Sequence, residues 1–380
     1  MIFDKFTRLI ASVIFLNLIH AVTNNSYATT IGTFPILDTL KSQGKPLAKQ
    51  TTKWMEAWRG ENLDNPEFRF PGLSGASSIH LQIQQTDPTS KKGYNGYGFF
   101  MSHNISGNPD TEIAYFNLAA ILGHDDIIRP AIAYTLGPKT LLKFKSLLTS
   151  TPITGANRLK NKATILKAIA TKRPLKGCLK AEKSNTYTDY ESIVNVHALP
   201  LGAPQTSHII IKALQANNPQ PNAGQIIKLK KGYEGDIAQL AREYSIIMTL
   251  DAIFQQWDRY TGGNVALLND KAGNAHFYAT DNGGATLLSN PALVTRNLNW
   301  FSRYDRQTIN QLKALYAFLI TPTKGYLGYK NAQLFVTHLG LYSELPPATY
   351  VSILKQNLQL LLARVATVEK KFGSKAVYFN

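Results

Sequence analysis

Ile79, Leu81 and Ile83 alternate with polar residues, the period of a strand with one buried face. A glycine-rich turn follows from Gly93 through Gly96 to Gly98, and Phe99 to Ser102 reads as the returning strand. The pattern then changes to helical spacing. Asn108 is placed to cap a helix, Pro109 occupies the first helical position, and Ile113, Phe116, Ala120 and Ile121 form the apolar stripe. Gly123 ends it. Ile127 to Tyr134 predicts another strand, and residues 139 to 180 read as lysine-rich and helical. Ile209-Ile210-Ile211 predicts a short apolar strand. The strongest helical signal spans Asp236 to Trp257, with Ile237, Leu240, Ala241, Tyr244, Ile247 and Met248 on one face. Strands at Val265–Leu268 and His276–Thr280 flank a turn at Asp270, Lys271, Gly273 and Asn274, and from about residue 305 the pattern is helical. The order predicts an α+β chain, with a β-rich first lobe carrying one prominent helix and a mainly helical second lobe.

The first residues carry a different signal. Lys5 and Arg8 precede a mostly apolar run from Leu9 to Val22, and Ser26 and Ala28 supply small residues two apart. That order predicts a signal peptide over 1–28, with a buried N-terminal helix as the alternative. Residues 29–76 then form an N-terminal extension, 77–216 a first lobe with a lysine-rich helical insertion, and 217–380 the second lobe. The loop Asn217–Gly224, with Pro219 and Pro221, marks the boundary. A secreted or periplasmic product follows, and no later run is long and apolar enough to span a membrane. Cys178 is the only cysteine, so there is no internal disulfide and no cysteine-based metal site, which suits a bacterial exported protein. The formal net charge of +17 favours acidic partners, anionic polymers among them.

Chemistry concentrates in two acidic turns. Trp257-Asp258-Arg259 stands at the exit of the long helix, and Asp281-Asn282-Gly283-Gly284 at the exit of the hairpin that follows. A hairpin brings its ends together, so Asp258, Asn264 and Asp281 are expected to converge. Two carboxylates and an amide are what phosphoryl transfer needs: one group to activate a hydroxyl, the others to hold Mg2+ or Mn2+ on the phosphates. Taken singly, each motif reads better as a helix cap or an ordinary turn; the pair, with a hairpin between, favours the functional reading. Gly93, Gly96 and Gly98 could cradle phosphates through backbone N–H groups, or simply form a hairpin tip. Gly123-His124-Asp125-Asp126 reads as a helix end and surface loop.

Three blocks carry a resemblance. They are Thr111 to Leu118 running on to Arg129-Pro130, Asp251 to Asp258 with Arg259, and Gly273-Asn274 with His276 to Gly283. In this order the chain resembles the secretory-pathway atypical kinases of the four-jointed and Golgi casein kinase type and, more distantly, phosphoinositide-kinase-like and HipA-like enzymes. The resemblance implies a two-lobed atypical protein-kinase-like fold with ATP and Mg2+ or Mn2+ between the lobes, and a protein or glycan acceptor. It makes Asp258 the catalytic base, Asp281 a metal ligand with Asn264 as a second, and Glu112 the acidic residue of the first-lobe helix. It also calls for a phosphate-binding lysine at the end of a first-lobe strand. Phe99-Phe100-Met101-Ser102 offers none there, which leaves Lys91 and Lys92 as substitutes, or a non-catalytic pseudokinase as the alternative.

Overall fold

The computed structural model describes residues 32–75, 78–85, 97–105, 107–171, 174–181, 188–189, 194–195, 203–261, 264–285, 287 and 290–379. The expected signal peptide, Lys91, Lys92, Gly93 and Gly96 lie outside them.

Helices α1 (Pro35–Ser42) and α2 (Lys49–Trp58) precede strands β1 (Phe68–Arg69), β2 (Leu73–Ser74), β3 (His80–Gln85) and β4 (Tyr97–Ser102). Helix α3 (Pro109–Leu122) follows, then β5 (Ala131–Thr135), the helical hairpin α4 (Pro138–Ser150) and α5 (Ala156–Ala170), and β6 (Lys176–Ala181). The strands form one antiparallel sheet in the order β1-β3-β4-β6-β5, with β2 also on β3. Alternation assigns its faces. Phe100 points outward to Phe144 of α4 and Tyr134 of β5, while Met101 points inward with Cys178 and Ile113 of α3. Helix α4 and Trp58 of α2 thus lie on the outer face and α3 on the inner one. Lys180 pairs across the ladder with Phe99, and Cys178 with Met101, so the Lys180 side chain is on the inner face. The predicted helical stretch 139–180 therefore ends early. Pro174 follows the second helix of the hairpin, and the residues after it enter the sheet.

Short strands β7 (Thr188–Asp189), β8 (Val194–Asn195) and β9 (Ala203–Pro204) lead to α6 (Ile209–Ala213). This last element is a helix rather than the predicted strand. His208 Nδ1 accepts from the N–H of Ile210 and caps it, and burial of Ile210 and Ile211 outweighs the strand preference of three isoleucines. Strands β10 (Ile226–Lys228) and β11 (Glu234–Asp236) pair with each other ahead of α7 (Ile237–Phe254). Asp236 caps α7 through the N–H of Gln239. No glycine ends it. Gln255 takes the left-handed conformation (φ 56°), held by its side chain, which donates to Asn357 and accepts from the N–H of Asn290. Strands β12 (Val265–Asn269) and β13 (Ala275–Ala279) form the predicted hairpin, and Asp270 Oδ1 accepts from the N–H groups of Ala272 and Asn274 across its turn. Helices α8 (Pro291–Leu298), α9 (Arg306–Ile320), α10 (Ala332–Leu339), α11 (Pro347–Phe372) and α12 (Ser374–Val377) complete the chain. Among the described residues no helix is long and apolar enough to cross a membrane.

Candidate active site

Helix α3 brings the first carboxylate into the interior. Asn108 Oδ1 accepts from the N–H of Asp110, Pro109 opens the helix, and Gly123 closes it at φ 80°. Glu112, in the first turn, is fully buried. Its Oε2 accepts from the N–H of Gly283 and lies 3.8 Å from Lys180 Nζ. Its Oε1 is a buried oxygen with no hydrogen-bond partner. Lys180, itself 0 % exposed, also reaches Asp281 Oδ1 at 3.3 Å. Burial alone would lower the ammonium's pKa. The carboxylates of Glu112 and Asp281 outweigh it and hold the group above its ordinary value, so Lys180 is charged. Burial likewise pushes the Asp281 carboxyl up, but Lys180, His80 and Arg129 reverse this and bring it to about 2. Asp281 is therefore an anion whose side chain keeps 43 % of its surface open.

The loop bearing Asp281 has α3 on one side and Asp258 on the other. The N–H of Asn108 donates to the carbonyl of Gly283, and Thr111 Oγ1 to that of Ala285. A Cβ on Gly283 would stand 2.9 Å from Glu112 Oε2 and 3.0 Å from Met101 Cε; one on Gly284 would stand 2.8 Å from Asp258 Cβ. The two glycines therefore allow Glu112 and Asp258 to approach opposite sides of one short loop.

Arg259 ties the second-lobe pieces together. Its guanidinium is fully buried and pairs with Asp251 at 3.0 Å. It also donates to the carbonyls of Asn264 (2.6 Å) and Thr280 (2.8 Å) and to Asn282 Oδ1 (2.6 Å). Burial would lower its pKa, but Asp251 holds it above the ordinary value. Tyr115 OH of α3 donates to Asp251 Oδ1, so the first-lobe helix joins the same network. Gln256 closes the remaining gap. Its Nε2 donates to the Asp281 carbonyl and its Oε1 accepts from the N–H of Asp258.

Of the residues singled out from sequence, Glu112, Asp258, Asn264 and Asp281 are drawn together by these bonds. The Asn264 side chain donates to the Asp258 carbonyl at 2.9 Å. Gly98 sits in β4, where a Cβ would meet Trp58 at 3.1 Å on the outer face. His124 reaches Thr308, and Asp125 accepts from the N–H of Ala48, so the Gly123–Asp126 turn serves packing. The residue missed was Lys180. It lies on β6, the neighbour of β4, and the only signal for it was the single charge in Gly177-Cys178-Leu179-Lys180-Ala181, a run otherwise small and apolar.

The donors around Asp281 and the unpartnered Glu112 Oε1 are hard carboxylate oxygens, which suit Mg2+ or Mn2+. Among the described residues no group of three or more His, Cys, Asp or Glu could hold a metal unaided. This chemistry fits an ion bound jointly by a carboxylate and a polyphosphate.

No protein-family profile matches the chain. No curated protein matches it either. Solved structures do. A Golgi casein kinase with Mn/ADP bound aligns over 97 % of this chain and 93 % of its own, with TM-score 0.52 and 10 % identity. A second Golgi casein kinase structure covers 91 % and 86 %, at TM-score 0.52 and 11 % identity. Fam20 of hydra, solved with sugar, covers 82 % and 88 %, at TM-score 0.49 and 11 % identity. The chain therefore has the mixed fold of the atypical secretory kinases, with the antiparallel sheet as its β-rich lobe.

Proposed function

We propose that the protein is an ATP-dependent phosphotransferase. The observation that carries this reading is the ammonium of Lys180, fully buried between Glu112 and Asp281. A buried cation between two carboxylates is costly as a packing device, because burying charge is seldom repaid by the pairing alone. It is well placed to receive phosphate oxygens, with the Glu112 carboxylate, itself fixed by the N–H of Gly283, as its ion-pair partner at 3.8 Å. Asp281, ionised and open, would hold Mg2+ or Mn2+ with the nucleotide phosphates; Glu112, through Oε2, and Asn264 belong to the hydrogen-bond network around it. That ion, when bound, supplies positive charge against the charge developing on the transferred phosphoryl. Asp258, partly open on the other side of the Gly283-Gly284 loop, would accept the proton of the acceptor hydroxyl. The acceptor is a protein or glycan hydroxyl, and export to the periplasm or medium belongs to the same proposal. The pseudokinase alternative drew its main support from a missing lysine, and we assign that lysine's role to Lys180.

The test is a thermal-shift titration with ATP, with and without Mn2+ or Mg2+. A metal-dependent rise in Tm is expected by mass action. Asp281→Ala should abolish the rise, and Lys180→Met should weaken it strongly. Asp258→Ala should keep it while losing transfer by ~10²–10⁴-fold. A flat response with either metal would overturn the nucleotide assignment, and an unaffected Asp258→Ala enzyme would remove it as the base.

A further inference from the structure

The basic surplus is not spread evenly. From Ile127 to Ala181 the sequence has no Asp or Glu, and the hairpin helices α4 and α5 within that stretch contain Lys139, Lys143, Lys145, Arg158, Lys160, Lys162 and Lys167. Each helix has a buried side, Phe144 and Leu148 in α4 and Ile165 and Ile169 in α5. Helical spacing turns Lys139, Leu142 and Lys143 away from the first pair, and puts Lys160 and Lys167 opposite the second with Leu159 on its flank. These outward faces are not purely polar. Leu142 is 68 % exposed and Leu159 50 %, and both stand among lysines. Ile105 is 57 % exposed, and its N–H donates to Asn161 Oδ1 of α5, so it adjoins the hairpin. Three of the seven exposed large aliphatic side chains of the described residues therefore gather at its most basic element.

We propose that this hairpin docks the protein on an anionic phospholipid surface. Asp64 caps the start of α4 through the N–H groups of Lys139 and Thr140, but the stretch itself carries no Asp or Glu; its lysines match phosphate head groups, and protruding leucines reach below them. An acidic polypeptide would satisfy the lysines but leave the leucines without a role, so the two features together favour lipid. The hairpin lies on the outer face of the sheet and Lys180 on the inner face, so docking leaves the crevice around Asp281 open. The inference is independent of the phosphotransfer reading.

Co-sedimentation of the full chain with phosphatidylcholine vesicles, with and without about one-quarter phosphatidylserine, tests it. Binding is expected only with the anionic lipid. Replacing Lys139, Lys143 and Lys160 by Gln should weaken it about a hundredfold, and Leu142→Ser with Leu159→Ser about tenfold. All five residues are exposed, and an unchanged Tm of each variant confirms that the fold is kept. The apolar run at 9–22 is common to all variants, so the differences between them report the hairpin. Equal binding to neutral vesicles, or no loss in the lysine variant, would overturn the proposal. So would displacement by soluble polyglutamate together with an unaffected leucine variant, which would identify an acidic polypeptide as the partner instead.

Discussion

At the scale of single residues, the site depends on how closely groups approach. Gly283 is one close approach. An added methyl group meets Glu112 Oε2 at 2.9 Å, Met101 Cε at 3.0 Å and the backbone oxygen of Asn108 at 3.3 Å. The methionine can rotate away; the helix backbone cannot. Gly283→Ala should therefore cost about 1–3 kcal/mol of stability, as overpacking does, and should weaken nucleotide binding by moving Glu112. Chemical denaturation and an ATP titration of the variant would check both effects. Asp258, Asp281 and Glu112 were legible in the sequence because each sits in a motif with neighbours of its own. Lys180 was not, because its meaning comes from a strand 78 or more positions earlier in the chain, Phe99 and Met101 lying beside it only once the ladder forms.

At the scale of elements, the ends of α7 and of the β12–β13 hairpin are joined by Arg259. One guanidinium holds Asp251, two carbonyls and Asn282. Its removal would leave the Asp251 carboxylate buried without its cation. Arg259→Ala should destabilise the protein by about 3–5 kcal/mol, read from the shift in a denaturant midpoint. Arg259→Met combined with Asp251→Leu should cost less than the single change, since no unpaired charge remains. Periodicity located these elements well. The cap and stop of α3 were readable to the residue, and the turn from Asp270 to Asn274 likewise, because the hydrogen bonds that define them are local. The errors came where tertiary contacts dominate. Three isoleucines became a capped helical turn on α7, and α7 itself ended three residues before Trp257, where the Gln255 side chain finds Asn357 and Asn290.

Over the whole molecule, contacts between first-lobe and second-lobe segments hold α3 in place. Asp110, two residues before Glu112, accepts from the N–H and hydroxyl of Ser343 and the N–H of Tyr342. His103, just after β4, meets Glu344 at 2.7 Å and Ser343 Oγ at 2.6 Å. Burial lowers the His103 pKa, but Asp110 and Glu344 outweigh it and bring it to about 9. His276 is raised to about 9 as well, mainly by its hydrogen bond to Glu243 and then by Asp270. Both imidazoles bind their protons more tightly folded than unfolded, where the ordinary value is 6.5. Their stabilisation is therefore complete below about pH 6.5 and disappears as pH rises through about 9. Melting temperature should fall across that window, and His103→Asn with His276→Asn should flatten the profile. A slope unchanged in the double variant would show that other groups are responsible.

The placement of Lys180 has a consequence for how such a site can be written into a chain. Met101 and Lys180 both project from the inner face, on adjacent strands, and Met101 Cε already stands near the Gly283 backbone. If the crevice selects a position in space, either strand could deliver the charge. Transplanting the ammonium, with Met101→Lys in a Lys180→Met background, should recover part of the metal-dependent ATP response that the single change weakens. Two different letters in two different lines of the sequence would then spell the same site.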